Sequence, residues 1–156
     1  MEGDILRILY TGFKGKNNSS CHLLSKISGE KLFLTNSFEG LKNDIANIAD
    51  QFDLVVMFGL DTKLRDMVRM ERIAEYDGVS ITTKIDCEAI CKHMEENDIR
   101  CVVSEMPTKY LCNAAYYHML YKTAGNTVLI HIPSSKNMSE HMMEKIVKSM
   151  GEIENV

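Results

Sequence analysis

Leu54-Val55-Val56-Met57-Phe58 is a continuous apolar run near the middle of the chain, and Gly59 follows it directly. Five apolar residues in a row are typical of a strand that is covered on both of its faces. Strands of this kind belong to parallel sheets, because the helices that connect them hide both surfaces. The apolar run from Leu6 to Phe13 has the same character and predicts a neighbouring buried strand.

Strand-like and helix-like segments alternate along the rest of the chain. Further strands are predicted over residues 31–34, 101–103 and 127–132, and an extended segment over residues 67–76 that ends in a turn. Helices are predicted up to residue 27 and over residues 38–52, 86–96, 111–121 and 139–150. This alternation predicts an α/β fold, a three-layer sandwich in which helices flank a mostly parallel, twisted central sheet. The chain shows no linker or internal repeat, so residues 1–156 are expected to form a single domain.

The composition narrows the classes of function. The chain is 45% hydrophobic and 26% charged, as is usual for a globular protein. Its formal net charge of −4 gives no reason to expect a nucleic acid or a membrane as partner. No segment approaches the roughly 20 apolar residues that span a bilayer, and the acidic start over residues 1–4 is unlike a signal peptide. Five cysteines without a disulfide-scaffold rhythm favour reduced thiols, so we expect a cytoplasmic protein.

Two residues near the end of the chain indicate a reaction. Cys112 opens a predicted helix, and His131 lies at the end of a predicted strand. A thiol at a helix N-terminus is expected to favour the thiolate, because the helix end offers partial positive charge and free N–H groups. An imidazole within reach would act as its base, and Glu71 would orient the imidazole. Ligands bind at the carboxyl ends of strands in such sheets, which is where both residues are predicted to lie.

The spacing by itself leaves an alternative open. Most free cysteines are small buried hydrophobic residues, and His131 would then be a hydrogen-bonded residue at a strand end. Another group, Cys87, Cys91 and His93, suggests a metal site at first sight. Only its two cysteines share a helix face, so helix packing is the better interpretation, and no metal or cofactor is expected.

Five short segments occur in a fixed order along nearly the whole chain. They are Thr11-Gly12-Phe13, Asn18-x-Ser20, Glu71-Arg72-Ile73-Ala74, Tyr110-Leu111-Cys112-Asn113 and Ile130-His131-Ile132-Pro133. Together they resemble the pyroglutamyl-peptidase I family, cysteine peptidases also called pyrrolidone-carboxylate peptidases. That family removes an N-terminal pyroglutamyl residue from peptides.

The resemblance implies a role for each catalytic candidate. Cys112 is the nucleophile, His131 the general base and then the general acid, and Glu71 the orienting carboxylate. A thioester intermediate, a small peptide or amide substrate and a homo-oligomer are implied as well.

The resemblance also implies that Phe13, Tyr110 and Leu111 help to line an apolar slot for the pyrrolidone ring. The surroundings of that slot depart from the family pattern. The Pro-Phe-Gly-Gly of the family is reduced to Lys14-Gly15-Lys16, and a Gly-rich stretch is replaced by Leu60-Asp61-Thr62-Lys63. We therefore expect an altered ring pocket.

A family arginine that contributes to transition-state stabilisation has no counterpart near Ile81, and Lys84 is the candidate to replace it. These departures leave two alternatives beside a pyroglutamyl peptidase. In the first, the same Cys-His-Glu triad acts on a different small amide. In the second, the chain is a catalytically degenerate binding or scaffold member of the family. Retention of all three triad residues favours an enzyme.

Overall fold

Eight strands and five α-helices make up residues 5–156, the part of the chain that the computed structural model describes. The acidic start over residues 1–4 lies outside this part. The strands are β1 Ile8–Phe13, β2 Glu30–Leu34, β3 Leu54–Leu60, β4 Met67–Glu71, β5 Ile73–Tyr76, β6 Val79–Thr82, β7 Arg100–Ser104 and β8 Thr127–Ile132. The helices are α1 Ser19–Lys26, α2 Phe38–Ala46, α3 Cys87–Glu96, α4 Leu111–Lys122 and α5 Glu140–Gly151.

Six strands form the central sheet in the order β2-β1-β3-β8-β4-β7. All neighbours in it are parallel except β8 and β4. Helices cover both faces, with α1, α3 and α5 packed on one side and α2 and α4 on the other. The predicted three-layer α/β sandwich with a mostly parallel sheet is confirmed.

The extended segment over residues 67–76 proves to be two strands, and β6 was not predicted. Asp77 and Gly78 both have positive φ angles, 49° and 76°, and join β5 to β6 in a hairpin apart from the main sheet. Positive φ at both central residues is what a tight hairpin turn of type I′ requires, and Asp-Gly is one of its preferred sequences.

Most helices begin at a residue that caps them. The side chains of Asn18, Ser37, Asp86 and Ser139 each accept a hydrogen bond from a backbone N–H in the first turn that follows. At α4 the N-cap is Tyr110, which makes no such side-chain bond. The N–H groups at the start of α4 are therefore not taken up by a capping side chain.

Side chains in the central strands alternate between the two helical layers. In β3, Val56 and Phe58 join the apolar cluster with α1, α3 and α5, while Val55 and Met57 join the cluster with α2 and α4. The helical layer that each side chain contacts therefore follows from its position along the strand. No helix within residues 5–156 has the length and apolar character needed to cross a membrane.

Candidate active site

The alternation of side chains brings positions on three neighbouring strands together beneath α4. Gly59 of β3 pairs with His131 of β8, and His131 pairs in turn with Arg69 of β4. By the period of two, Gly59 and His131 project to the same layer as Met57 and Leu129, which is the layer of α4. Glu71 lies two residues after Arg69 and keeps the same face.

His131 and Glu71 form a buried pair on this face. The Nδ1 atom of His131 lies 3.1 Å from Oε2 of Glu71, and both side chains are almost fully buried. Because an ionised carboxylate can only accept hydrogen bonds, Nδ1 is the donor in this pair. The other ring nitrogen, Nε2, is then unprotonated in the neutral imidazole and is free to act as a base. Glu71 therefore lies where the expected orienting carboxylate would have to be.

Cys112 joins them from the first turn of α4. A Cβ atom placed on Gly59 would lie 2.7 Å from Sγ of Cys112 and 3.2 Å from Cδ2 of His131. The thiol and the imidazole therefore border the same point, and only a glycine leaves them room there. All three predicted catalytic residues, Cys112, His131 and Glu71, come together at one site.

The strand directions expected from the sequence are wrong for one part of the sheet. We expected Cys112 and His131 to meet because both follow the carboxyl ends of parallel strands. In fact β4 and β7 run antiparallel to β8, so the carboxyl ends of β7 and β8 point in opposite directions. The loop over residues 105–110 carries the chain from the end of β7 to the start of α4 and brings Cys112 to the site.

The expected effect of the helix end is present, since the backbone N–H of Cys112 lowers the pKa of its thiol, but burial outweighs this effect. Burial raises the pKa of the Cys112 thiol to about 11. The backbone N–H of Leu60 opposes this shift, but the negative charge of Asp61 adds to it. Desolvation of the anion thus outweighs the helix end. The resting thiol is neutral at pH 7, so His131 has to take its proton during any attack.

This protonation state predicts how Cys112 reacts with iodoacetamide. Because the thiolate is the reactive form, the alkylation rate should rise about tenfold per pH unit between about pH 7 and pH 10. Peptide mass spectrometry would measure the rate at Cys112 separately from the other thiols. Asp61→Asn should raise the rate at a given pH, since it removes an anion that disfavours the thiolate. A rate that is already flat from pH 7 upward would instead reveal a preformed thiolate.

Arg69 belongs to this site although the sequence did not predict it there. Its Nε lies 2.5 Å from Oε2 of Glu71, and its Nη2 lies 2.7 Å from Oδ2 of Asp61 and 3.4 Å from Nδ1 of His131. Burial lowers the pKa of Arg69, yet its contacts with Glu71 and Asp61 outweigh this and leave the pKa raised. Glu71 is thus held by Arg69 and His131 together. The signal was available, because Arg69 precedes Glu71 by two residues in a strand.

Asp61 directly follows β3 and completes this ion-pair network. Burial raises its pKa, but the backbone N–H of Lys63 and the guanidinium of Arg69 more than compensate, so the pKa lies below its usual value. Asp61 is therefore ionised at neutral pH and neutralises part of the charge of Arg69.

Lys84 does not take the place of the family arginine. Its backbone N–H donates to Gly125 and its side chain packs on that glycine, just before the start of β8. His131 lies near the other end of β8. The cation that the structure provides beside His131 is Arg69.

The three residues expected to line the ring slot have different surroundings. Phe13 is buried in the apolar cluster between the sheet and α2 and α4, and Leu111 packs against the same cluster. Tyr110 is exposed and lines a cleft of about 820 Å³ that also contains His131 and Arg69, which we call the histidine cleft. Only Tyr110 of the three thus faces an open cleft in the described residues.

The group Cys87, Cys91 and His93 has a structural explanation. Both cysteines are buried in the apolar cluster beneath α3, and Nε2 of His93 lies 2.8 Å from the backbone carbonyl oxygen of Ser149. Among residues 5–156, no set of three or more His, Cys, Asp or Glu side chains is arranged to hold a metal ion.

The chain resembles solved pyrrolidone carboxyl peptidases in structure. The enzyme from Thermus thermophilus superimposes with a TM-score of 0.77 at 18% identity, covering 92% of this chain and 97% of that one. The enzyme from Fervidobacterium islandicum gives 0.78 at 19% identity, covering 97% and 98%. Pyroglutamyl peptidase I from Bacillus amyloliquefaciens gives 0.77 at 14% identity, covering 93% and 95%.

The sequence similarity is local. Human pyroglutamyl-peptidase 1 is 34% identical over 56 residues, which are 35% of this chain and 27% of the human protein. The rat protein of the same name matches over the same length at the same identity. The aligned segment thus spans about a quarter of these curated relatives. No protein-family model matches the chain. The chain therefore has the fold of the pyrrolidone carboxyl peptidases and a local sequence similarity to pyroglutamyl-peptidase 1.

Proposed function

We propose that this protein is a cysteine peptidase that cleaves the amide bond after an N-terminal pyroglutamyl residue. The observation that carries the proposal is the arrangement of Cys112 over Gly59 beside His131, whose Nδ1 is 3.1 Å from Glu71. A nucleophile, a base and an orienting carboxylate in this order can perform acyl transfer on many different folds. The likeness to pyrrolidone carboxyl peptidases supports pyroglutamyl amides as the first substrates to test.

The chemistry follows from the protonation states at the site. As Sγ of Cys112 attacks the amide carbonyl carbon, its proton passes to Nε2 of His131. The C–N bond then breaks, the proton moves from His131 to the leaving amine, and the acyl group remains on Cys112 as a thioester. Water that gives a proton to His131 hydrolyses the thioester, which releases the acid and restores the thiol.

Backbone N–H groups are available for the charge that develops on the carbonyl oxygen. Those of Leu60 and Cys112 both stabilise negative charge at Sγ, beside which the oxyanion would form. A donor of this kind typically contributes about 3 kcal/mol to the stabilisation of the transition state. The two donors belong to β3 and α4, so their positions are fixed by the fold.

A different observation favours the degenerate alternative, a binding or scaffold protein. The pKa of Cys112 is raised to about 11, whereas a nucleophilic cysteine usually has a lowered pKa. The altered ring pocket, in turn, is the reason to keep a different small amide as a further alternative.

Hydrolysis of the fluorogenic coumarin amide of pyroglutamic acid tests the proposal. We expect steady turnover, and mass spectrometry of a rapidly quenched reaction should find the pyroglutamyl group on Cys112. Absent turnover of this amide, with Cys112-dependent cleavage of another small amide or ester in a substrate screen, would indicate a different substrate. Absent turnover of every compound in that screen would indicate the binding or scaffold role.

The proposal also covers the cellular location and the oligomeric state of the protein. We propose a cytoplasmic location, which the presence of five free cysteines supports. We also propose a homo-oligomer acting on small peptides or amides rather than on nucleic acids or membranes. Light scattering at several protein concentrations would measure the oligomeric state.

A further inference from the structure

Four large apolar side chains that are exposed to solvent lie around a single cleft. They are Phe38 (58% exposed), Tyr76 (37%), Met106 (78%) and Tyr110 (70%). The cleft has a volume of about 460 Å³ and borders the first turn of α4; we call it the aromatic cleft. Exposed apolar side chains that gather in a concave site are a mark of ligand binding.

The aromatic cleft adjoins the candidate active site. Tyr110, the N-cap of α4, lines both the aromatic cleft and the histidine cleft. Asn113 and Ala114, which follow Cys112, line the aromatic cleft, whereas His131 lines the histidine cleft. The loop over residues 106–110 therefore separates the two clefts just before Cys112, which itself lines neither of them.

The chemistry assigns a different part of the substrate to each cleft. His131 must give a proton to the leaving amine, so the leaving group belongs in the histidine cleft. The acyl group that stays on Cys112 then belongs on the other side of the nucleophile. This assignment points to the aromatic cleft as the acyl pocket.

The walls of the aromatic cleft suit a neutral, flat group. The ring of Tyr76 is held in place by Tyr117, at 5.4 Å between ring centroids, and by His118, at 5.2 Å. A ring fixed in advance loses little freedom when a ligand stacks on it. Glu75, Asp77 and Lys109 also line the cleft, so negative charges outnumber the positive one and disfavour an anionic acyl group.

The side chain of Asn113 is not free to recognise a lactam. Its Oδ1 accepts a hydrogen bond from the N–H of Glu75 at 3.0 Å, and its Nδ2 donates to the carbonyl of Glu75 at 2.5 Å. Both polar ends of this amide are thus engaged with β5. The carboxamide of Asn113 therefore does not select for the polar pyrrolidone ring.

We propose that the aromatic cleft binds the acyl group of the substrate and admits neutral aromatic acyl groups larger than pyroglutamyl. This inference rests on the proposed cysteine amidohydrolase function and specifies its substrate class. Phe38 and Tyr76 are then specificity-determining residues that no catalytic motif contains. The reaction itself is unchanged: the acyl C–N bond breaks, a C–S bond forms and water hydrolyses the thioester.

The test compares coumarin amides of phenylacetic acid and pyroglutamic acid. The phenylacetyl amide should be cleaved with a kcat/KM at least equal to that of the pyroglutamyl amide. Phe38→Ala should raise the KM for the phenylacetyl amide about tenfold with little change in kcat. One aromatic contact contributes about 1.4 kcal/mol at most to the binding free energy. Tyr121→Ala is the matched control, because Tyr121 is an exposed aromatic residue of α4 outside both clefts. It should leave both constants unchanged.

The outcomes separate this inference from the proposed function. Cys112-dependent cleavage of the pyroglutamyl amide, with the phenylacetyl amide more than a hundredfold slower, would overturn the inference alone. Equal KM values for wild type and Phe38→Ala would overturn it as well. Failure to cleave either amide would overturn the function. Titration with phenylacetamide, followed by intrinsic tyrosine fluorescence, would then still decide whether Phe38 contributes to binding.

Discussion

Cys112→Ala should abolish hydrolysis of the pyroglutamyl amide while the fold is retained. Without Sγ no thioester can form, and His131 has no nucleophile proton to accept. Losing the nucleophile in enzymes of this type lowers kcat on the order of 10⁶-fold. Alanine removes a single sulfur atom next to Gly59, so the packing of α4 on β3 should survive. Release of the fluorescent amine measures the first effect, and circular dichroism during heating measures the second.

Cys21→Ala is the control for this experiment. Cys21 is a half-buried free thiol in α1, a helix that packs on the opposite face of the sheet from α4. This variant should keep the activity of the wild type. That result would show that removing a thiol elsewhere in the protein does not lower activity. Residual Cys112→Ala activity near that of the wild type would contradict a thioester mechanism, whatever the substrate.

The sequence predicted the candidate triad because each member carries a local signal. Cys112 opens a helix, His131 ends an apolar strand, and both stand in segments that resemble a known family. The layered α/β fold was equally predictable, since the apolar run at β3 requires cover on both faces. Gly59 was predicted only as the end of that strand, although its close approach to Cys112 gives it a second role.

What the sequence did not predict depends on tertiary structure. β4 and β7 run antiparallel to β8. Their direction depends on the path by which long connections cross the sheet, and no local sequence pattern records that path. The raised pKa of Cys112 results from desolvation, and desolvation depends on what covers the thiol. The aromatic cleft likewise combines α2, the β5–β6 hairpin and the loop before α4, which are distant along the chain.

Arg69→Met should lower both kcat and stability. The substitution leaves the buried carboxylate of Glu71 with His131 as its one strong partner among the described residues, and it leaves Asp61 without its ion pair. Removing one member of a buried ion pair typically costs about 3 kcal/mol in the free energy of unfolding. Because Glu71 orients His131, we also expect kcat to fall roughly tenfold to a hundredfold, part of what a well-placed general base contributes.

Arg72→Met provides the matched control for Arg69→Met. Arg72 directly follows Glu71, but its partners Glu88 and Glu105 are exposed carboxylates outside the site. Because water screens an exposed carboxylate and solvates it when its partner is lost, the kcat and stability of this variant should stay near those of the wild type.

Arg69→Lys separates the structural effect of Arg69 from its positioning of Glu71. Lysine keeps the positive charge but cannot hold Glu71 and Asp61 in the fixed fork that a guanidinium provides. It should therefore restore most of the stability and only part of kcat. Lost stability with an unchanged kcat in Arg69→Met would show that Arg69 supports the fold alone. A parallel fall of kcat in both variants, with stability restored by lysine, would instead show that Arg69 acts on the reaction through Glu71.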